Sequence, residues 1–192
     1  MAVGAAAAGP ASAQDWSHVR PIIADLNARL LAGPTATAVL TEWCQRHGMA
    51  NPARIHAERI EGAAAEASAE QRARLEVGAD EPLGYRRVRL MCGTHLMSEA
   101  ENWYVPSRLT PAMRAQLTDT DTPYGAVIAP LGPTRHNFEV TQLWQDGPLP
   151  RDLFRHRALV VGSDGRPLAE VVETYTAGTL ESRTEPRLDF KG

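Results

Sequence analysis

The sequence predicts an α+β fold, an antiparallel β-sheet flanked by N-terminal and connecting helices. Three observations carry that prediction. Apolar residues at helical spacing occupy the first quarter of the 192-residue chain. Period-two alternation takes over from residue 85. Helices come first and antiparallel hairpins with short turns come later, which argues for α+β.

The elements follow in chain order. Ile22, Ile23, Leu26, Leu30 and Leu31 recur at helical spacing between Val19 and Leu31, and Gly33-Pro34 ends that helix. Thr35 or Thr37 caps a second helix carrying Val39, Leu40 and Trp43, which stops near Gly48. Residues 52–60 read as a short strand. The Ala-, Glu- and Gln-rich stretch 61–73 lacks an apolar stripe and reads as an exposed loop or solvated helix. Tyr85 to Cys92 alternates, with Val88, Leu90 and Cys92 on one face and Tyr85, Arg87, Arg89 and Met91 on the other. Gly93-Thr94-His95 turns the chain into a second strand, Ser98 to Val105, making a hairpin. Thr110 and Pro111 open a short helix over 110–117 as N-cap and first helical residue. Thr122-Pro123-Tyr124-Gly125 is a turn, and Ala126 to Leu131 is an apolar strand or helix. Phe138 to Trp144 alternates again. Leu153 to Val161 and Leu168 to Thr176 form a last hairpin around Ser163-Asp164-Gly165.

Length and composition fit one domain over residues 15–192. The net charge of −3 gives no footprint for nucleic acid or an anionic membrane, and the expected state is a monomer. No stretch is long and apolar enough for a membrane span. Residues 1–14 are set apart from the fold. Their Ala11-Ser12-Ala13 ending fits a signal-peptidase site, but no Lys or Arg opens the segment. A signal-peptide remnant, implying a periplasmic or secreted protein, and an Ala-rich leader on a cytoplasmic one both remain open. Cys44 and Cys92 form no CxxC or Cys/His cluster, so no structural zinc is expected, and Cys92 reads as a small buried hydrophobe.

Two features exceed a plain globular background. Arg87 and Arg89 share a strand face; they are surface charges if that face is wet, and need an anionic partner if it lines a cavity. Glu170 and Glu173 point to opposite faces of the closing strand. Glu173, beside Val171 and Tyr175 on its own face, suits a half-buried carboxylate able to exchange a proton with a ligand, with a solvated edge glutamate as the plain alternative. His95 and Glu99 span a turn and lack helical ligand spacing; Glu99 and Glu101 read as a solvated face. No GxSxG, P-loop or GxGxxG occurs, and His136 and His156 have no nucleophile motif nearby.

Tyr85 to Pro106, YRRVRLMCGTHLMSEAENWYVP, resembles the central hairpin of the chorismate pyruvate-lyase family, where an arginine opens an apolar strand and the next strand closes at a proline. The TPYG element, Thr122 to Gly125, and the Asp164-Gly165 turn followed by the strand to Tyr175 continue the likeness, which covers roughly residues 20–180 and is sharpest over 85–175. The resemblance implies a chorismate-lyase-like α+β fold, UTRA-related, enclosing a small-ligand cavity. It implies a cofactor-free lyase turning chorismate into 4-hydroxybenzoate and pyruvate, as in ubiquinone biosynthesis. Arg87 would hold the ring carboxylate and Glu173 would assist proton movement. Tyr124, Gly125 and Ala36 would contact the ligand. There are departures: Ala36 stands where the lyases place a larger apolar contact, Tyr124 where they often have leucine, and Glu173 falls one position late after the glycine turn. The same fold serves bacterial regulators as an effector-binding module. A non-catalytic binder of a small aromatic or cyclic carboxylate is therefore the alternative, possibly exported.

Overall fold

A computed structural model describes residues 16–62 and 64–181. The segment 1–14, set apart above as a leader, lies outside the described residues. Helix α1 (Arg20–Ala32) buries Ile23, Leu26 and Leu30, a stripe that repeats at three- and four-residue steps. Helix α2 (Ala36–Arg46) starts at Thr35, whose hydroxyl accepts a bond from the Ala38 N–H at 3.2 Å. Strand β1 (Ile55–Arg59) follows, and then α3 (Ala69–Arg74), opened by a reciprocal Ser68–Gln71 capping box. The hairpin β2 (Gly84–Cys92) and β3 (His95–Tyr104) comes next. Helix α4 (Pro111–Asp119) is capped by Thr110, and the single turn α5 (Tyr124–Val127) is followed by a 3-10 turn, Ala129–Leu131. Strand β4 (Thr134–Gln142) leads to the closing hairpin β5 (Asp152–Val161) and β6 (Pro167–Thr176).

The six strands form one antiparallel sheet in the order β1-β2-β3-β6-β5-β4. The last hairpin lies against the first through β3 and β6, so the middle of the sheet is built from strands distant in sequence. One face packs against α1 and α2 through Leu26, Leu40 and Trp43, and against α4 and α5 through Leu117 and Val127. The other face is covered over part of its area by α3 and its flanking loops, through Leu75, Trp103 and Val105. Strict alternation sends successive side chains to opposite faces. Val88 and Leu90 thus enter the helix-covered side, while Arg87 and Arg89 stay on the other.

Two sequence expectations are corrected here, and an open one is decided. Cys92 is not a free buried thiol: it is joined to Cys44 of α2 by a disulfide that ties the helix to β2. Of the two readings left open for Ala126 to Leu131, the structure takes the helical one, as short helical turns. The strand placed at Phe138 to Trp144 begins earlier, at Thr134, and carries a register shift between Asn137 and Glu139. A bulge of this kind breaks the alternation from which the strand was read.

Candidate functional site

The candidate site is a cavity of about 30 Å³ between the inner sheet face and the junction of α2 with α5. Its floor is Val88 and Leu90 of β2, Ala100 and Asn102 of β3, Val171 and Glu173 of β6 and Val160 of β5. Its roof is Thr35, Ala36 and Thr37 at the start of α2, and Tyr124 and Gly125 of α5. Arg135 of β4 closes one side.

The polar centre is Arg135 with Glu173. Arg135 sits on the outermost strand, yet its side chain is only 1% exposed, because it runs inward beneath β5. Its Nη1 donates to Glu173 Oε2, and its Nε donates to Asn137 Oδ1 at 2.8 Å. The Tyr175 hydroxyl donates to the same Glu173 oxygen at 2.9 Å. Burial disfavours the charge on Arg135, but Glu173 and Tyr175 outweigh it and raise its pKa. Tyr175, wholly buried, is held protonated well above its ordinary range, chiefly by burial. Neighbouring His156, which opposes Glu173 across β5 and β6, is lowered to about 4, first by burial and then by Arg135. The Arg135–Glu173 ion pair is therefore flanked by a phenol and an imidazole that burial holds neutral. Among the residues lining the cavity, Arg135 Nη2 and the Tyr124 hydroxyl have no partner, and neither do His156 Nδ1 and Arg86 Nε beside it. Such groups are rare in folded proteins, and each calls for a reason, such as strain, an ordered water or a bound group.

A second buried arginine positions the roof. Arg86 points to the inner face and donates through Nη1 to the Thr122 carbonyl at 3.0 Å and through Nη2 to that of Thr120 at 3.5 Å. It thereby anchors the turn that brings Tyr124 and Gly125 over the sheet. Burial is the main cause lowering its pKa.

Of the residues the sequence singled out, Ala36, Tyr124, Gly125 and Glu173 surround this one cavity. Arg87 does not, and the assignment of Arg87 as the carboxylate-holding arginine is corrected. It lies on the opposite face with 43% of its side chain exposed and donates to Glu99 Oε2 at 3.3 Å. Arg89 and Arg151 approach the same carboxylate. That face is wet because no helix covers β2 and β3 there, so its charges need no ligand. Arg86, one residue earlier, has the parity of Val88 and Leu90 and was readable from the alternation. Arg135 was missed because Thr134-Arg135-His136-Asn137 has no apolar partner in the pattern, and the bulge after it shifts the phase. Among the described residues, no group of three or more His, Cys, Asp or Glu could hold a metal ion, and no helix is long and apolar enough to cross a membrane.

The sheet order and the flanking helices give the chain an α+β fold of the chorismate-lyase-like kind, which solved structures share. The effector domain of PhnF from Mycobacterium smegmatis superposes with a TM-score of 0.51 at 14% identity, over 71% of this chain and 87% of that one. A longer structure of PhnF from the same organism gives a TM-score of 0.53 at 12% identity, over 81% of this chain and 69% of that one. No family model matches the sequence. The uncharacterized protein y4mC of Sinorhizobium fredii (strain NBRC 101917 / NGR234) is 38% identical over 179 residues, 83% of this chain and 76% of that protein. The chain belongs to the family of y4mC.

Proposed function

We propose that this protein is a small-molecule binding module whose ligand presents a carboxylate to Arg135 in the cavity roofed by α2 and α5. The observation that carries the reading is the unpartnered Nη2 of Arg135, a fully buried guanidinium with one further bond to give. A carboxylate supplies the acceptor, and charge assistance makes that bond about twice as strong as a neutral one. The first turn of α2 lines the same space, and the free N–H groups at a helix start favour an anion there. PhnF's domain of the same fold is described as an effector domain, which accords with binding without turnover.

The lyase reading is second, and the meeting of Arg135 with Glu173 keeps it alive. In it Arg135 replaces Arg87 in holding the ring carboxylate of chorismate, and Glu173 assists proton movement at the ring oxygen. Two points favour the binder. Glu173 is tied up in an ion pair with Arg135, which does not leave its carboxylate free for proton transfer. The Cys44–Cys92 disulfide suits an oxidising compartment, where a cytosolic metabolite such as chorismate is out of reach.

Calorimetry with benzoate and 4-hydroxybenzoate tests the binder. Arg135→Lys, which keeps the charge and loses the fork, should weaken binding roughly ten- to a hundredfold, the worth of a charged hydrogen bond. Arg87→Ala should leave affinity unchanged. Equal affinities in wild type and Arg135→Lys would remove the cavity from the binding role. Release of pyruvate from chorismate would reverse the order of the two readings.

A further inference from the structure

Two spaces meet at the start of α2. The inner one is the cavity of about 30 Å³ that holds Arg135 and Glu173. The outer one is a surface groove of about 510 Å³, walled by Pro34, Ala38 and Thr41 on the α2 side and by Ala126, Ala129 and Pro133 on the α5 side. Thr35, Thr37 and Gly125 border both spaces. There the two threonines close against Gly125, which has no side chain to hold them off. A Cβ there would lie 2.8 Å from Thr37 Oγ1 and 3.0 Å from Thr35 Oγ1.

The two spaces differ in chemistry as well as size. The inner one carries an ion pair and two unpartnered donors, Arg135 Nη2 and the Tyr124 hydroxyl. No residue lining the outer one is charged. An apolar cavity of about 150 Å³ is what takes up a benzene ring. The inner space is far smaller, so it seats a head group and not a ring. The groove has the size of ordinary ligand pockets, about 300–1,000 Å³.

We propose that cavity and groove are one amphipathic site, and that the ligand is a carboxylate bearing an elongated apolar tail, alkyl or aryl. The proposal rests on the preceding reading, that a carboxylate is held at Arg135. The head passes between Thr35, Thr37 and Gly125 to reach Arg135 Nη2, and the tail lies along the uncharged groove between α2 and α5. Parting those two helical ends admits the head without disturbing the sheet.

The experiment is calorimetric titration of the full chain with butyrate, hexanoate, octanoate and decanoate. Affinity should rise with each methylene added, by up to about fourfold, the limit set by full burial of a CH₂ group. Ala38→Trp, placed on an exposed helix position to fill the groove, should abolish that dependence on length. Arg135→Lys should weaken every member of the series alike. A series that binds with Arg135 dependence but equal affinity at all lengths would overturn the tail site and leave the carboxylate reading standing. An undiminished length dependence in Ala38→Trp would put the tail elsewhere and overturn the proposal too. Absence of binding by any member would overturn both.

Discussion

Arg135 shows how one residue on the outermost strand can decide a molecule's chemistry. Its guanidinium and the Glu173 carboxylate are each buried against the other, so removing either leaves an uncompensated charge. Arg135→Ala should cost about 3–5 kcal/mol of folding stability, measured by urea unfolding. Adding Glu173→Gln to that variant should recover part of the loss, because the stranded charge disappears with it. A double variant no more stable than Arg135→Ala alone would mean that the pair is not coupled. His156 adds a pH dependence. Its folded pKa is lowered to about 4, while an unfolded histidine titrates near ~6.5. Between those values the unfolded chain binds a proton that the folded chain does not. His156's contribution is therefore complete above about pH 6.5 and is lost as pH falls toward about 4, by about 3 kcal/mol over the full shift. The urea midpoint of unfolding should fall toward acid across that range, and His156→Gln should flatten the trend.

At the scale of elements, the roof of the cavity is held from both ends. Arg86 fixes the α4–α5 connection through its carbonyl contacts. The Cys44–Cys92 disulfide fixes the far end of α2 to β2, across 48 residues of sequence. Closing a loop of that length removes about 4 kcal/mol of unfolded-state entropy in the chain-entropy model. Cys44→Ala with Cys92→Ala should lower unfolding free energy by about 2–4 kcal/mol. Reductant should do the same to the wild-type chain and nothing to the double variant. The β4 strand makes the complementary point about reading elements. Arg135 and Asn137 oppose Val160 and Ala158 on the inner side, whereas Glu139, beyond the shift, opposes Arg157 on the outer. One inserted residue thus reverses the face that a period-two reading assigns.

For the whole molecule, the site exists only where two layers meet. The sheet supplies Glu173, Asn102 and Arg135, and the two helical ends supply Thr35, Thr37, Tyr124 and Gly125. A ligand seated there bridges both layers and is bound by the folded chain alone. At a hundred times its dissociation constant it should raise unfolding free energy by about 2.7 kcal/mol. A thermal scan with octanoate checks this, and an unshifted midpoint at saturation would contradict it. The disulfide bears on where the molecule works. Protein trapped with an alkylating agent at lysis should carry no label on Cys44 or Cys92 if it resides in an oxidising compartment.

The alternation of residues 85–92 and 168–176, the caps at Thr35 and Thr110 and the turn residues are local signals, and they sufficed for the α+β class and for most of the elements. They also separated Glu170 from Glu173, since parity is a property of the strand itself. What the chain could not declare locally is which face of the sheet is covered. Arg86 shares the apolar face of Val88 and Leu90, but that a second layer buries it there, while Arg87 stays wet, depends on contacts between segments far apart in sequence. The same holds for Arg135 meeting Glu173 and for Cys44 meeting Cys92. Each pairing is fixed by tertiary packing, because burial and charge compensation belong to the assembled layers and not to any single strand or helix.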